Sequence, residues 1–256
     1  MKICVFNSCD CNYILKKPCY PIMMLKSFRA HFGDELDYIL VIGEEMTKGI
    51  SDLIPDWIQV RRQNLRDTFS AYESRTSQWP QSCNWCTHAP KILSDYDFAI
   101  YCDGDILCHQ KFNISDVIPT NEDVTVAHYT PMGSKRKGWQ KLPYANSGFQ
   151  IINVKRWCNK RIWREYQKLQ TKGWYNGDQD GLNHLIRCGM LKAKFVSKWY
   201  NFRLPDTNKS NNEKEYSLNH IFIAHFIFSK PHNLNSKFRN SRGIKRVLAK
   251  EFLTYS

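Results

Sequence analysis

The residues best suited to chemistry are Asp103 and Asp105, in the run Tyr101-Cys102-Asp103-Gly104-Asp105-Ile106. An apolar stretch, Phe98 to Cys102, leads into two acids separated by one glycine. Ligands of open α/β sheets bind beyond the carboxyl ends of the strands. Two carboxylates on such a turn suit a hard divalent cation that also takes phosphate oxygens. Asp-Gly is also ordinary turn chemistry, so the pair gains weight only from its company. That company is Asn146-Ser147-Gly148 ahead of Phe149-Gln150-Ile151-Ile152-Asn153, then Gly177-Asp178-Gln179-Asp180-Gly181-Leu182-Asn183, then His225-Phe226-Ile227-Phe228-Ser229-Lys230-Pro231. Near the start, Asp10-Cys11-Asn12-Tyr13 sets a polar turn and an aromatic ring after an apolar run, a combination that suits a base. Each residue has a plainer role open to it. Asp178 suits a helix N-cap, His225 or Tyr13 a core position, Gly148 a bulge and Lys230 a solvated surface.

The elements that must position these residues alternate in kind. Short apolar runs and helix-like stretches take turns through the first half, which predicts βαβ units around a mostly parallel sheet flanked by helices, an α/β fold. Strands are expected at Ile3 to Phe6, Asp37 to Ile42, Phe98 to Cys102, Val124 to His128, Phe149 to Asn153 and Ile221 to Phe228, with Asn7-Ser8-Cys9-Asp10 as a turn. Helices are expected over Ile22 to Phe32, Lys155 to Thr171 and Gly177 to Cys188, and an exposed loop over Pro205 to Glu215. No stretch reads as a linker, so residues 1–256 are expected to form a single domain.

Composition limits the classes. With 256 residues, 42% hydrophobic and 24% charged, the chain is neither disordered nor fibrous. Its apolar runs fall short of a membrane span, and Met1 to Asn7 turns polar too early for a signal peptide, so a soluble, cytoplasmic protein is expected. The net charge of +13 is uneven: 12 basic against 17 acidic residues lie in 1–128, and 25 against 7 in 129–256. A second half near +18 favours an anionic partner such as nucleotide phosphates, nucleic acid or an acidic membrane. Ten cysteines without a secretory signal fit free thiols. Cys9/Cys11 and Cys83/Cys86 could be halves of a zinc site, although the first gap is too short for the usual knuckle. The sequons at Asn113 and Asn208 matter only on a secretory route.

The order and spacing of these motifs resemble the family 8 glycosyltransferases of the GT-A fold. Their pattern is an Asp-x-Asp strand end, an Asn-x-Gly-x-x-x-x-Asn strand, an Asp-Gln-Asp-x-x-Asn helix and a late His-Phe-x-x-x-Lys-Pro. The resemblance spans residues 3 to 231 and implies a Rossmann-like sheet with a nucleotide-binding half (1–128), a sugar and acceptor half (129–236) and a basic tail (237–256). It implies that Asp10 and Asn12 bond the uracil edge while Tyr13 stacks on it. Asp103, Asp105 and His225 would hold Mn²⁺ (Mg²⁺ being the alternative), and Lys230 would pair with the diphosphate. Asn146, Ser147 and Gly148 would line the sugar pocket, with Asp178, Gln179 and Asp180 beneath the donor sugar. Lys91 stands where the family commonly has an arginine, Cys11 where an acid is frequent, and His232 where a tryptophan is usual.

The resemblance thus implies transfer of a sugar from a UDP-sugar to a hydroxyl of a glycan, glycolipid or glycoprotein, with retention. Gln179 or Asp178 would support the oxocarbenium ion; an inverting enzyme would instead use Asp178 or Asp180 as base. The rival from another class is a nucleic-acid-binding protein or metal nuclease using the same Asp pair and the basic half. No nucleic-acid module is recognisable and the aromatics do not interleave with basic residues on one element, so no nucleic acid is expected as partner. The retained Asp103, Asp105 and His225 count against an inactive relative. Ile244, Val247, Leu248 and Phe252 predict a terminal helix, with the basic residues from Lys237 to Lys250 suited to peripheral contact with an acidic membrane.

Overall fold

The computed structural model describes residues 1–43, 49–65, 81–129, 143–171, 178–204, 217–226 and 244–256. Its strands are β1 (Ile3–Cys9), β2 (Asp37–Ile42), β3 (Ile58–Arg62), β4 (Phe98–Cys102), β5 (Ile106–Cys108), β6 (Val124–His128), β7 (Ala145–Asn153), β8 (Ala193–Val196), β9 (Phe202–Arg203) and β10 (Ile223–His225). Its helices are α1 (Cys11–Leu15), α2 (Tyr20–Phe32), α3 (Ala89–Ile92), α4 (Ile114–Val117), α5 (Val154–Asn159), α6 (Ile162–Thr171), α7 (Asp178–Arg187) and α8 (Ile244–Leu253). Seven strands form one sheet in the order β3-β2-β1-β4-β7-β6-β8, and β5-β10-β9 form a second. In the large sheet only β7 runs antiparallel to its neighbours, β4 and β6. A mostly parallel sheet flanked by helices is therefore correct, and it draws strands from both sides of residue 128.

The alternation of side chains along the central strands divides the core in two. Val5, Leu40, Ile42, Ile100 and Cys102 pack on the face covered by α2, with Phe28 and Phe32. Phe6, Ile39, Val41, Ala99 and Tyr101 pack on the other, with Trp85, Trp157 and Tyr166. Burial on both faces explains why these strands read as continuous apolar runs. A third cluster joins the small sheet to α2 and α8 through Tyr20, Met23, Leu107, Phe226, Leu248 and Phe252.

Several expected boundaries shift. β1 continues through Asn7, Ser8 and Cys9, because pairing with β2 extends to Cys9 opposite Ile42. The buried amide of Asn7 donates to Cys102 O at 2.7 Å, so this polar segment belongs to the sheet instead of a turn. The single helix expected over Lys155 to Thr171 is two helices, α5 and α6, parted at Arg161, whose φ of 52° ends the first. The short strands β3, β5, β8 and β9 were not expected from the sequence. The four cysteines weighed for zinc do not assemble: among the described residues no group containing cysteine could hold a metal. The loop at 205–215 lies outside the described residues. No described helix is long and apolar enough to cross a membrane.

The helix expected near the C-terminus is α8, and Leu248, Ala249 and Phe252 are buried against the domain. Phe252 stacks on Tyr20 and Phe226 at 5.8 and 5.4 Å between ring centroids. The apolar face is thus used inside the protein, and Val247 lies on the exposed side. The basic residues Lys237, Arg239 and Arg242 lie outside the described residues, whereas Lys245, Arg246 and Lys250 lie on α8.

One ion cluster anchors the far edge of the sheet. The fully buried carboxylate of Asp123 accepts from Arg156 Nε at 3.0 Å, Lys160 Nζ at 2.5 Å and the Lys192 backbone N–H at 2.8 Å. Burial opposes its charge, yet the Lys160, Lys192 and Arg156 donors hold its carboxyl below the ordinary value. Asp123→Ala is expected to cost about 2–3 kcal/mol, the scale for hydrogen bonds to a charged group. For a folded carboxyl held low, this contribution is complete above the unfolded pKa of about 4 and disappears as pH falls through the lower folded value. Chemical denaturation at pH 7 and again below pH 3 checks it: the gap between wild type and variant should close in acid.

Candidate active site

The turn Asp103-Gly104-Asp105 lies where the two sheets meet. β4 delivers Asp103 from the large sheet, and Asp103 N–H donates to Gly148 O on β7 at 2.8 Å. The chain then enters β5, which pairs with β10 so that His225 sits opposite Ile106. Phe226 N–H donates to Asp105 O at 3.0 Å, which ties the late strand to the turn. The result is a convergence of side chains 120 positions apart. His225 Nε2 lies 3.4 Å from Asp103 Oδ2 and 3.5 Å from Asp105 Oδ1.

These three residues form a group able to hold a metal ion, with ligand atoms all within 4.8 Å of one another. Two carboxylate oxygens and one imidazole suit Mn²⁺ better than zinc, which favours more nitrogen or sulfur. Two further observations fit a cation. A Cβ on Gly148 would collide with His225 Cε1 and lie 2.7 Å from Asp103 Oδ2, so only glycine lets both ligands close in. Tyr101 OH donates to Asp103 Oδ1 at 2.7 Å and leaves Oδ2 turned toward His225. Burial disfavours a charged His225, but Asp105 and Asp103 outweigh it and raise its pKa to about 9.

The first turn of α7 lies beside this group. Asn183, on the next turn, accepts from Ala145 N–H at 2.8 Å and donates to Ala145 O at 2.9 Å, which clamps the helix to β7. That clamp explains the asparagine that follows Asp178-Gln179-Asp180 at helical spacing. Gln179 Oε1 accepts from Asn146 Nδ2 at 2.7 Å. Burial, then the charge of Asp103, pushes the carboxyl of Asp178 up to about 7, while a hydrogen bond with Ser147 opposes the rise. Cys86 Sγ lies 4.0 Å from Asp178 Oδ2, behind the carboxylate. Asp180 accepts from Tyr144 OH at 3.0 Å.

The N-terminal loop reaches the same place. Asp10 caps α1, accepting from Tyr13 N–H at 2.8 Å, and its second oxygen accepts from Ser82 Oγ at 3.0 Å. Asn12 is exposed, and Tyr13 is half-buried with its ring against Gly104, where an added Cβ would lie 3.1 Å from Cε1. Tyr13 thus touches the turn that carries both acids.

Asp10, Tyr13, Asp103, Asp105, Asn146, Ser147, Gly148, Asp178, Gln179, Asp180 and His225 are therefore brought to one region. Lys91 is not joined to it by any contact among the described residues: it is exposed on α3 with Nζ 5.0 Å from the centre of the Trp163 ring. Lys230 lies outside the described residues. Tyr101 and Asn183 stand within the motifs of the sequence but were given no role there, and Asn201 and Ser82 were passed over. Strand alternation puts Tyr101 on the face of Asp103, and helical spacing puts Asn183 beneath Gln179, so both were accessible; nothing local marks Asn201 or Ser82.

Known structures share this arrangement of sheets. The galactosyltransferase LgtC in complex with donor and acceptor sugar analogs matches the whole chain over 95% of its own length, at 17% identity and a TM-score of 0.67. An active-site glutamine-to-glutamate variant of LgtC matches equally in coverage and score, at 18% identity. GlyE, a glycosyltransferase of Streptococcus pneumoniae TIGR4, matches at 19% identity and a TM-score of 0.67, the chain covering 60% of it. No curated protein sequence matches the chain. The fold is that of the GT-A glycosyltransferases. Residues 55–233 match the family model described as glycosyl transferase family 8, and the chain belongs to that family.

Proposed function

We propose that this glycosyltransferase moves a sugar from a UDP-sugar to an acceptor hydroxyl, with retention and with Mn²⁺ held by Asp103, Asp105 and His225. The observation that carries the reading is the convergence of those three ligands beside the first turn of α7. When bound, the cation would supply a Lewis acid that neutralises the diphosphate leaving group. The chain's own residues do the rest. Asp10, Asn12 and Tyr13 hold the uracil, the ring of Tyr13 fixing the base near the acidic turn. Asn146, Ser147 and Gly148 line the sugar pocket, with Asp178, Gln179 and Asp180 beneath the donor sugar. Gln179 and Asp178 support the positive charge that develops at the anomeric carbon. LgtC has a glutamine in its active site, and Gln179 is the residue of this chain suited to that place. Lys230 pairs with the diphosphate, and Lys91 must leave the Trp163 ring to reach a phosphate. The acceptor is a glycan, glycolipid or glycoprotein hydroxyl, all within one domain.

A panel of nucleotide sugars with Mn²⁺, scored for nucleotide release, tests the reading and identifies the sugar through slow donor hydrolysis. The anomer formed first, followed by NMR, separates retention from inversion; an inverted product would transfer the base role to Asp178 or Asp180. UDP with Mn²⁺ is expected to raise the melting temperature by mass action, and GDP far less. Tyr13→Ala should weaken UDP binding roughly tenfold or more, the scale of a lost base-stacking contact, while leaving the protein folded. Equal protection by GDP, or unfolding of Tyr13→Ala, would remove the uridine assignment. Steep salt-dependent binding to oligonucleotides, indifferent to UDP, would favour the nucleic-acid alternative.

A further inference from the structure

Between His225 and Asp180 runs a file of side chains that all donate in one direction. His225 Nδ1 faces Asn201 Oδ1 at 2.9 Å, Asn201 Nδ2 donates to Asn146 Oδ1 at 2.7 Å, and Asn146 Nδ2 donates to Gln179 Oε1 at 2.7 Å. Gln179 Nε2 then donates to Tyr144 OH at 3.3 Å, and Tyr144 to Asp180 at 3.0 Å.

Backbone amides fix the polarity of this file, because an N–H can only donate. Gly148 N–H points at Asn146 at 3.1 Å and Ser147 N–H at Gln179 at 3.4 Å, so both of those atoms must be oxygens. With its oxygen on that side, Asn146 takes the NH₂ of Asn201. Asn201 must therefore present its oxygen to His225, and His225 Nδ1 must carry the hydrogen. Asn201 is 5% exposed and His225 2%, so both are largely shut off from bulk solvent. Asn201 ends the 3₁₀ turn Lys198–Asn201, directly before β9, which pairs with β10 beside His225.

We propose that Asn201 is a positioning residue for the cation site. Through Asn146 it transmits the orientation set by Gly148 N–H to the imidazole of His225, holding hydrogen on Nδ1 and aiming Nε2 at Asp103 and Asp105. The inference rests on the reading of Asp103, Asp105 and His225 as cation ligands. Partners behind a ligating histidine fix its tautomer and ring orientation, and their loss weakens metal binding about 10–100-fold.

The test titrates Mn²⁺ into the full chain with saturating UDP, following free Mn²⁺ by electron paramagnetic resonance, alongside melting temperatures. Asn201→Leu keeps the volume but gives His225 no acceptor, and should bind Mn²⁺ about 10–100-fold more weakly. Asn201→Asp keeps the acceptor and should bind at least as tightly as wild type, even though a buried extra carboxylate facing Asn146 Oδ1 lowers its melting temperature. A merely structural asparagine gives the opposite pattern: affinity losses that follow the losses in melting temperature, worst for Asn201→Asp. That pattern, or wild-type affinity in Asn201→Leu, overturns the proposal. Should Asn201→Leu fail to fold, Asn201→Asp decides, since weakened binding there is incompatible with an acceptor role. Asp105→Ala is the control. If it binds Mn²⁺ like wild type, the cation reading itself falls and this inference with it; if it does not while Asn201→Leu does, only the role of Asn201 falls.

Discussion

Asp105→Ala is expected to lower sugar transfer, or slow donor hydrolysis, by roughly three orders of magnitude while leaving the protein folded. The loss corresponds to about 4 kcal/mol, within the several kcal/mol that a bound cation supplies to developing charge. Asp105 is 5% exposed, and Phe226 N–H reaches only its backbone carbonyl, so the substitution leaves the link between β5 and β10 in place. The charge balance also permits folding. Asp105 leads the charges that raise His225 to about 9, so removing it lets the buried imidazole relax toward its neutral form instead of stranding a cation. Asp103→Ala and His225→Ala should fail similarly, and EDTA should reproduce the loss reversibly. Initial rates with and without added Mn²⁺, with circular dichroism to verify folding, make the comparison. Full activity in Asp105→Ala would end the metal-dependent mechanism.

Gly148→Ala should be nearly as damaging through a single methyl group. The new Cβ would overlap His225 Cε1 and lie 2.7 Å from Asp103 Oδ2 and 2.9 Å from His225 Nδ1. The backbone has little room to retreat. Gly148 O accepts from Asp103 N–H, and Phe149 is paired with Cys102 on β4. The ligands must therefore part, and displaced ligands bind a cation poorly. Mn²⁺ affinity is expected to fall about 100-fold, on the scale of disrupted ligand orientation, with UDP binding in the absence of metal little changed. Isothermal titration of Mn²⁺ and of UDP separately would show it. Wild-type Mn²⁺ affinity in Gly148→Ala would mean that the two ligands have no need to approach over this glycine.

The residue types carried much of the answer without any coordinates. The acids of Asp103-Gly104-Asp105 stand at the end of a strand that the apolar run Phe98 to Cys102 already revealed. β2 was equally legible, because burial on both faces leaves an apolar run from Tyr38 to Ile42. The order of five motifs was enough to suggest family 8, with Asp178, Gln179 and Asn183 on one short helix. Less local features escaped. β5, β8 and β9 are two to four residues long, and their existence depends on a partner strand supplied from elsewhere in the chain. Arg161 breaks a helix that periodicity alone would have continued, since apolar spacing does not register a single left-handed residue. The face of α8 was correctly read as apolar, but only tertiary packing shows that Tyr20 and Phe226 cover it.

The sequence by itself determined which atoms are available: two carboxylates, an imidazole, and a glycine that leaves space for them. Tertiary structure decided which of them meet. His225 reaches the acids because β10 pairs with β5 in one register, placing it opposite Ile106, and a slip by one residue would turn its ring to the other face. Lys91 was drawn from its position in the chain, yet its ammonium lies over Trp163, because a long flexible side chain settles wherever the folded surface offers a partner. The contacts of Asn201 were decided in the same way. An asparagine between Tyr200 and Phe202 carries no mark of function by itself; only the fold sets its Oδ1 2.9 Å from His225 Nδ1.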